Sequence, residues 1–542
     1  MSRLQRLVRT QFDVAVMGAG ATGAAIARDA ALRGLAVLLV DRGDVAAGTS
    51  SGSSRMIHGG LRYLLGGQVA LVKECLRERS ILLRLAPHLV RRAPFIITSY
   101  RNVMREQWPV RMGLSIVRRL SSEPEVENIA LVRRDQLLTQ LPALERQGLR
   151  GAVEFSDGVA HDARLVLEVA LGAQQAGAVV ETQMQVLGVR RQGDRAVGLR
   201  LRDRLTGEEG DIHSRSLVEA LGPWAGTVDL GPRGGAPSVV PARGTHLALP
   251  EILPRDFAVA ALHPRDKRYV WAVGLEGHTW VGTTDEEHRG PPDACAPTAE
   301  EVAYLQEWVA AIFPGPAREP YLARAALRPL VMATGRSRDF AVGVSEAGVI
   351  SVLGGKLTTA RAMAEAAVDE LLTQGPFFEL SPRPAATAHV PLPGAPPLPM
   401  EDWLAEGHDL PVPEPTRHHL LRRYGRRGLP LVQRVAADPE LGRALHEMRP
   451  EVVVEVDHAA DSELVRSLSD FMWRRTFLAF TPDRGESALP VVIQRLARKL
   501  GWDRDEQQRQ RQRYQAEVTA AVAPLLAARA LAAAPRTTAG PA

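Results

Sequence analysis

The residues best suited to chemistry crowd into one run between Val14 and Tyr63. Gly18-Ala19-Gly20-Ala21-Thr22-Gly23 carries glycines at the spacing a dinucleotide needs. The first permits a tight turn, the second lets backbone approach a pyrophosphate, and the third lets the next helix pack close on its strand. Asp41, eighteen residues beyond Gly23, can accept hydrogen bonds from a ribose 2′-hydroxyl and would repel a 2′-phosphate, which favours FAD or NAD over NADP. Directly behind it, Thr49-Ser50-Ser51-Gly52-Ser53-Ser54-Arg55 is a loop of hydroxyls suited to a pyrophosphate or a flavin ring. Ile57-His58-Gly59-Gly60-Leu61-Arg62-Tyr63 then sets a guanidinium and a phenol behind two glycines that permit close approach. An NAD enzyme has no obvious use for this second half, whereas a flavoprotein has. Only four of the 67 basic residues are lysines, so Lys356, flanked by Gly354-Gly355 and Thr358-Thr359, hints that a compact ammonium is wanted there.

Such groups work only if regular elements aim them. Phe12 to Met17 reads as a short apolar strand, followed by an Ala-rich helix that stops near Gly34 and a second strand from Leu35 to Val40. This strand–helix–strand order begins a doubly wound domain. Gln68 to Leu85 is helical with one apolar face, and Glu154 to Val186 reads as strand, helix and strand, with Asp162 as N-cap and Gly177 as the stop. Val239 to Leu249, Tyr269 to Val273 and His278 to Thr283 predict an antiparallel sheet over the cofactor. Prolines are dense from Pro382 to Pro399, and beyond them the pattern turns helical.

The run from Thr49 to Tyr63 closely resembles the signature of the FAD-dependent glycerol-3-phosphate dehydrogenases of the aerobic, quinone-linked type. Similar segments follow in the family's order: Phe155 to Gly158, Asp162 to Leu165, Gly222-Pro223-Trp224, Gly244-Thr245-His246, Gly282 to Asp285, Arg328-Pro329-Leu330, Gly354 to Thr359 and Trp473 to Thr476. The resemblance implies an α/β fold: a doubly wound FAD-binding domain of the glutathione-reductase-like or amino-acid-oxidase-like kind, an antiparallel β substrate domain and an all-α C-terminal domain. On this reading 12–385 is the oxidoreductase region, with FAD-binding segments at about 12–100, 150–232 and 340–375 and a substrate roof at about 101–149 and 233–339. A Pro-rich linker at 386–400, a helical domain at 401–520 and a flexible tail at 521–542 complete it.

The implied activity is oxidation of sn-glycerol 3-phosphate to dihydroxyacetone phosphate, with electrons passed through FAD to a quinone. Arg62, Tyr63, His246, Arg328 and Lys356 are the implied substrate-binding set, and Arg62, His246, Arg328 and Lys356 the catalytic one. His246 is the first choice for the base, because imidazole titrates nearest working pH. His58 is the weaker alternative, and a cationic Lys or Arg that lowers the alcohol's pKa while water takes the proton is another. The implied cofactor contacts are Gly18, Ala19, Gly20, Ala21, Thr22, Gly23, Asp41, Thr49, Ser50, Ser51, Ser54, His58, Gly59, Gly60, Lys356, Leu357 and Thr358. Four departures from the family pattern stand out: aspartate rather than glutamate at Asp41, Glu219-Ala220-Leu221-Gly222 in place of Asn-Ala-Thr-Gly, Trp271 to Gly274 without the usual Pro-Trp, and a shortened stretch between Leu330 and Val349 in which Arg336 to Asp339 keeps only a partial match.

At 542 residues and a net charge of +5 with dispersed basic residues, the chain predicts two or three domains and gives little support to nucleic-acid binding. Cys75 and Cys295 lie far apart, so neither a disulfide framework nor a metal site is indicated, which fits a reducing cytoplasm. No signal peptide or membrane-spanning run is expected. Arg101 to Leu120 interleaves arginines with Trp108, Met112, Leu114, Ile116 and Val117, a pattern that suits either a helix packed on the protein's own core or attachment to the inner face of the cell membrane. A homodimer is left open. Competing functions are a glycerol-3-phosphate oxidase using O₂, an amine or amino-acid oxidase of the same superfamily, and a non-catalytic flavoprotein.

Overall fold

The computed structural model describes residues 1–64, 67–100, 103–121, 128–230, 238–315, 318–332, 336–337, 339–377 and 381–533; the side chains of Arg62, residues 103–105, residues 336–337 and Pro376 lie outside that description. Two sheets organise the chain. The first runs, edge to edge, through Phe340–Val344, Ile350–Gly354, Glu209–Glu219, Gln11–Met17, Val37–Val40 and Val179–Glu181. Its inner pairings are parallel. Strands buried on both faces need continuous apolar runs, and Val37 to Val40 is such a run. The helices Ala21–Leu32, Asp162–Gln175 and Ala360–Leu372 cover one face through Ala24, Ala27, Val166, Ala170, Ala364 and Val368. Their small side chains bring backbones close: a Cβ on Gly23 would stand 1.8 Å from the carbonyl oxygen of Gly18.

The second sheet has eleven strands, among them Leu322–Met332, Ser238–Leu249, His278–Gly282, Tyr269–Leu275, Ala258–Leu262, Val90–Ser99, Gly151–Ala160 and Met56–Ile57 in spatial order. Val90–Ser99 and Gly151–Ala160, which lie at the ends of two expected FAD-binding segments, pair along their whole length inside this second sheet. A strand's alternation tells which of its faces is buried but not which partner it finds. Here Val90–Ser99 finds Ala258–Leu262, in parallel, on its other side.

Beyond the proline-rich segment lie the helices Glu414–Tyr424, Gly428–Ala437, Val454–Ser462, Leu489–Leu500 and Arg504–Ala533. The segment itself is tied down: Leu392 and Ala395 are buried, and Glu168 accepts a hydrogen bond from the Gly394 amide. The tail expected to be flexible from residue 521 instead continues the last helix to Ala533, while residues 534–542 lie outside the described residues. Alanine has the highest helix propensity, and Leu525 and Ala528 are buried in the same core as Trp308. By length and mean hydropathy this is the one helix among the described residues that suits a membrane span, yet the stripe Tyr514, Ala521, Leu525 and Ala528 is buried in the protein.

Candidate active site

The Gly-rich turn is braced from two sides. Gly18 has φ +102°, and its amide donates to Val40. Asp41 accepts from the Ala19 amide at 2.7 Å through one oxygen and from the Gly43 amide at 2.7 Å through the other. Aspartate, one methylene shorter than the family's glutamate, thus braces its own turn with one hydrogen bond to each oxygen. Ser50 Oγ accepts from the Ala21 amide at 2.9 Å. A Cβ on Gly20 would come within 3.2 Å of that hydroxyl, so this cradle has the width of bare backbone. Gly20, Thr22 and Gly23 belong to the first turn of Ala21–Leu32, whose N-cap Gly20 offers no side-chain hydrogen bond. A second helix, Ala360–Leu372, likewise starts at Thr359 with no side-chain cap, behind Gly354 and Gly355 at φ +79° and +78° and beside buried Thr358 and partly buried Leu357. Helix starts with amides uncapped by side chains suit anionic groups. The residues present thus fit a dinucleotide with a pyrophosphate at the first helix and an electron-rich ring edge at the second.

Not every hydroxyl expected at the cofactor is turned to it. Thr49 Oγ1 donates to the Leu327 carbonyl at 2.6 Å and ties the loop to the roof, while Ser51 Oγ donates to its own turn at Gly48. All four expected hydroxyls thus have partners within the protein, Ser50 at the Gly-rich turn and Ser54 at His246.

Ser54 leads to the first reactive cluster. Its Oγ is hydrogen-bonded to His246 Nε2 at 2.9 Å. His246, on Ser238–Leu249, is buried, stacks on Trp280 with ring centroids 5.1 Å apart and planes 6° from parallel, and stands opposite Gly282 in the strand register. A Cβ on Gly282 would meet the imidazole at 2.3 Å, so glycine there is what lets the ring lie flat. Burial, with the charges of Arg328 and Arg55, pulls the His246 pKa down to about 3, so the ring is neutral at working pH. Arg328, on the next strand, anchors Nη2 to the carbonyls of Thr284 at 2.5 Å and Arg243 at 3.2 Å, and it pairs with Asp285 at 3.3 Å. Thr284 Oγ1 accepts from the Thr245 amide and donates to Glu301, which fixes the backbone beside His246.

The second cluster lies at the other end of the same run. Lys356 Nζ sits 4.5 Å from the Tyr63 ring centroid and donates to Cys75 Sγ at 3.8 Å. His58 lies 6.0 Å from Tyr63 between ring centroids. A Cβ on Gly60 would strike the Tyr63 ring at 2.7 Å, and one on Gly59 would strike Leu76 at 2.5 Å. Arg62 lies in the helical turn Leu61–Leu64, and its side chain is outside the described residues. The run from Ser54 to Tyr63 therefore joins the His246–Arg328 cluster to the Lys356–Tyr63 cluster.

Several residues that hold the site gave no signal of that role in the sequence. Asp157 accepts from the Gly59 amide with both oxygens at 3.1 Å and from Arg79 at 2.8 Å, so the paired-glycine turn is pinned by a buried ion pair. Asp162 accepts from the amide and hydroxyl of Ser53, and its predicted place as N-cap is taken by His161, with Asp162 the first helical residue. Glu219, one of the departures, is fully buried and accepts from the Gly226 amide at 3.0 Å and Ser351 Oγ at 2.6 Å, which replaces local bonds the usual asparagine would make. Asp44 accepts from Arg474 and Arg475 of the C-terminal domain.

Comparison with known proteins fits this architecture. A family model described as FAD dependent oxidoreductase matches residues 13–370, and one described as C-terminal domain of alpha-glycerophosphate oxidase matches 385–507. The glycerol-3-phosphate dehydrogenase of Synechocystis is 32% identical over 95% of this chain and 97% of its own. That of Pseudomonas aeruginosa is 34% identical over 86% and 92%. Among solved structures, the glycerol-3-phosphate dehydrogenase from Bacillus halodurans complexed with FAD superposes with a TM-score of 0.78 at 25% identity, covering 96% of this chain and 97% of that one. The L-alpha-glycerophosphate oxidase from Mycoplasma pneumoniae shares the fold, with a TM-score of 0.56 at 20% identity over 71% of this chain and 99% of its own.

Proposed function

Because the chain belongs to the FAD-dependent glycerol-3-phosphate dehydrogenase family, we propose that it oxidises sn-glycerol 3-phosphate to dihydroxyacetone phosphate at the Ser54–Tyr63 run and delivers the electrons to a membrane quinone. Bound FAD supplies the acceptor for the hydride that leaves the carbinol carbon. The backbone of Gly18 to Gly23, Ser50 and the turn at Gly354 to Thr358 would hold that cofactor.

The chain's own residues do the rest. His246, uncharged and so able to accept, takes the hydroxyl proton while Arg328 and Lys356 lower the alcohol's pKa and offset the low basicity of a ring pulled down to about 3; its hydrogen bond to Ser54 engages Nε2. Arg328, with its guanidinium plane set by two carbonyls, and Lys356, held over Tyr63, supply positive charge for the phosphate and the developing alkoxide. Tyr63 is proposed to add a phenol to the same oxygens; the role the resemblance implies for Arg62 falls on a side chain outside the described residues. The observation that carries the reading is this pairing of a neutral buried imidazole with separate arginine and lysine centres along one run. A carboxylate substrate, as in an amine or amino-acid oxidase, would have no use for both.

Quinone as acceptor fits the helix Val103–Leu120. Its Leu114 and Val117 are buried on the protein, while Trp108, Met112 and Ile116 form an exposed stripe at 53%, 54% and 40% beside exposed Arg111, Arg118 and Arg119. One side of this helix packs on the core, and the exposed apolar and basic side is the surface we propose for contact with the inner membrane face. Arg101 lies outside the described residues. The acceptor is tested by stopped-flow reoxidation of the reduced enzyme: fast reaction with a soluble quinone analogue and slow reaction with O₂ is expected, and fast reoxidation by O₂ alone would make the protein an oxidase.

A further inference from the structure

Arg55 is the most unusual side chain near the site. It has φ +59° and is 2% exposed. Its guanidinium carbon lies 5.5 Å from the Trp280 ring, 4.7 Å from Phe477 and 5.3 Å from Phe480. Among the described residues the nearest carboxylate, Asp162, is 3.8 Å away, and none of them gives Arg55 Nε or Nη1 a hydrogen-bond partner. A buried cation so thinly compensated is costly, and a left-handed non-glycine backbone adds to the cost. The gain lies in what Arg55 is attached to. It follows Ser54, the hydrogen-bond partner of His246, and it covers Trp280, the ring on which His246 stacks. Trp280 Nε1 donates to the Ser53 carbonyl at 3.1 Å, so indole and loop are locked together. Phe477 and Phe480 come from the C-terminal domain, and Phe480 packs edge-on against Trp280 at 5.7 Å.

We propose that Arg55 is a positioning residue for the oxidation reaction: clamped in an aromatic box closed by Phe477 and Phe480, it fixes Ser54 and Trp280 against His246. The inference rests on the reading of His246 as the base. Among the described residues the other charged groups around His246 come from the strand Leu322–Met332: Arg328, paired with Asp285, and Arg324, opposite His246 in the strand register. Arg328 and Arg55 both disfavour a proton on the ring. Losing Arg55 removes one of them and loosens the stack at the same time. Asp162 would not be stranded by that loss, because it also accepts from Ser53 and from the Ala163 amide.

The test uses the FAD-loaded full chain and the rate at which glycerol 3-phosphate reduces the bound flavin as a function of pH. Arg55→Met is expected to lower the limiting rate about tenfold or more, to leave the KM for glycerol 3-phosphate within about twofold, and to move the acid limb of the profile to higher pH. Arg55→Lys, which keeps the cation, is expected to recover most of the rate and the original limb. An Arg55→Met profile that overlays the unsubstituted enzyme, or an Arg55→Lys loss equal to that of Arg55→Met, would overturn the proposal. Should Arg55→Met fail to fold, carbon-13 histidine spectra of the unsubstituted protein decide, with His246 assigned by His246→Gln. The proposal requires a His246 signal that stays neutral down to about pH 5, and titration near the ordinary value of about 6.5 contradicts it. A His246→Gln enzyme reducing at the full rate would bring down the reading of His246 as base. A slow His246→Gln beside an unaffected Arg55→Met would bring down only the role of Arg55.

Discussion

Arg475 binds Asp44 in a two-pronged ion pair, with Nη1 to Oδ2 at 2.7 Å and Nη2 to Oδ1 at 2.8 Å, and neither side chain is exposed by more than 1%. The bond joins the loop after the second cofactor strand to the C-terminal domain. Neighbouring Arg474 reaches the same carboxylate at 2.6 Å from a π-turn over Phe471–Arg475. In such a turn a helix departs from its usual register, often at a functional position. The C-terminal domain is therefore bolted to the cofactor loop as well as to the aromatic box around Arg55.

Removing that carboxylate leaves two buried arginines without it. Asp44→Asn is expected to destabilise the protein by about 3–5 kcal/mol and to weaken FAD retention. Thermal unfolding and flavin release on dilution measure both, and a stability within about 0.5 kcal/mol of the parent would show that the bolt carries no load.

Four buried histidines govern the pH dependence of stability. Burial first, then neighbouring arginines, pulls His88 and His246 down to about 3, and His161 and His278 well below the ordinary value. Below about pH 6.5 the unfolded chain takes up protons that these folded rings refuse, so stability falls as pH falls, by up to about 1.4 kcal/mol per pH unit for each ring. A second loss is expected below about pH 4, where Asp44, Glu276, Glu451 and Glu463, held low by arginines that outweigh burial, protonate first in the unfolded chain. Urea unfolding between pH 5 and 8 measures the histidine part, and a flat response there would contradict it.

Gly282→Ala tests the imidazole's seat. The new Cβ would fall 2.3 Å from His246 Cδ2, and a ring displaced by about 1 Å is expected to cost about 100-fold in the rate of flavin reduction while FAD stays bound. Rapid-reaction absorbance measures it.

Lys356→Met removes the ammonium over Tyr63. The expected loss in kcat/KM is about 100-fold or more, and Lys356→Arg should restore little of it, since a planar fork does not replace a compact charge between a phenol ring and the Cys75 thiol. Steady-state kinetics with glycerol 3-phosphate give the comparison.

Replacing Trp108, Met112 and Ile116 together with serine should weaken binding to anionic lipid vesicles without changing flavin reduction by glycerol 3-phosphate, because the three side chains point away from the core. Vesicle sedimentation reads the first effect, and unchanged binding, or no binding by the unsubstituted protein, would contradict the proposed membrane contact of this helix.

Much of this was legible in the chain because its signals are local. Gly18 to Gly23 with a following helix is a short-range pattern, and the buried run Val37 to Val40 announces a parallel strand. Lys356 drew notice through its rarity and its Gly-Thr flanks and His246 through the resemblance, whereas their partners Tyr63, Cys75 and Trp280 are long-range contacts that spacing does not show. Arg55 was read only as part of a hydroxyl loop, since Trp280, Phe477 and Phe480 lie far along the chain and nothing beside Arg55 points to them. The aromatic density from Phe471 to Phe480 was the available hint. Val90–Ser99 drew no strand reading of its own, and its pairing with Gly151–Ala160 joins segments about sixty residues apart, which local pattern does not show. The alanines of the last helix read as a loose tail because their burial depends on Trp308 and its neighbours, a contact far away in sequence.

The central claim is that this site oxidises a phosphorylated secondary alcohol with bound flavin. Its most direct test is anaerobic addition of glycerol 3-phosphate to the FAD-loaded protein, followed by flavin absorbance, beside the same addition of unphosphorylated glycerol. Bleaching by glycerol 3-phosphate with none by glycerol is the predicted result. A flavin that stays oxidised with glycerol 3-phosphate, or that bleaches equally with glycerol, would contradict the account.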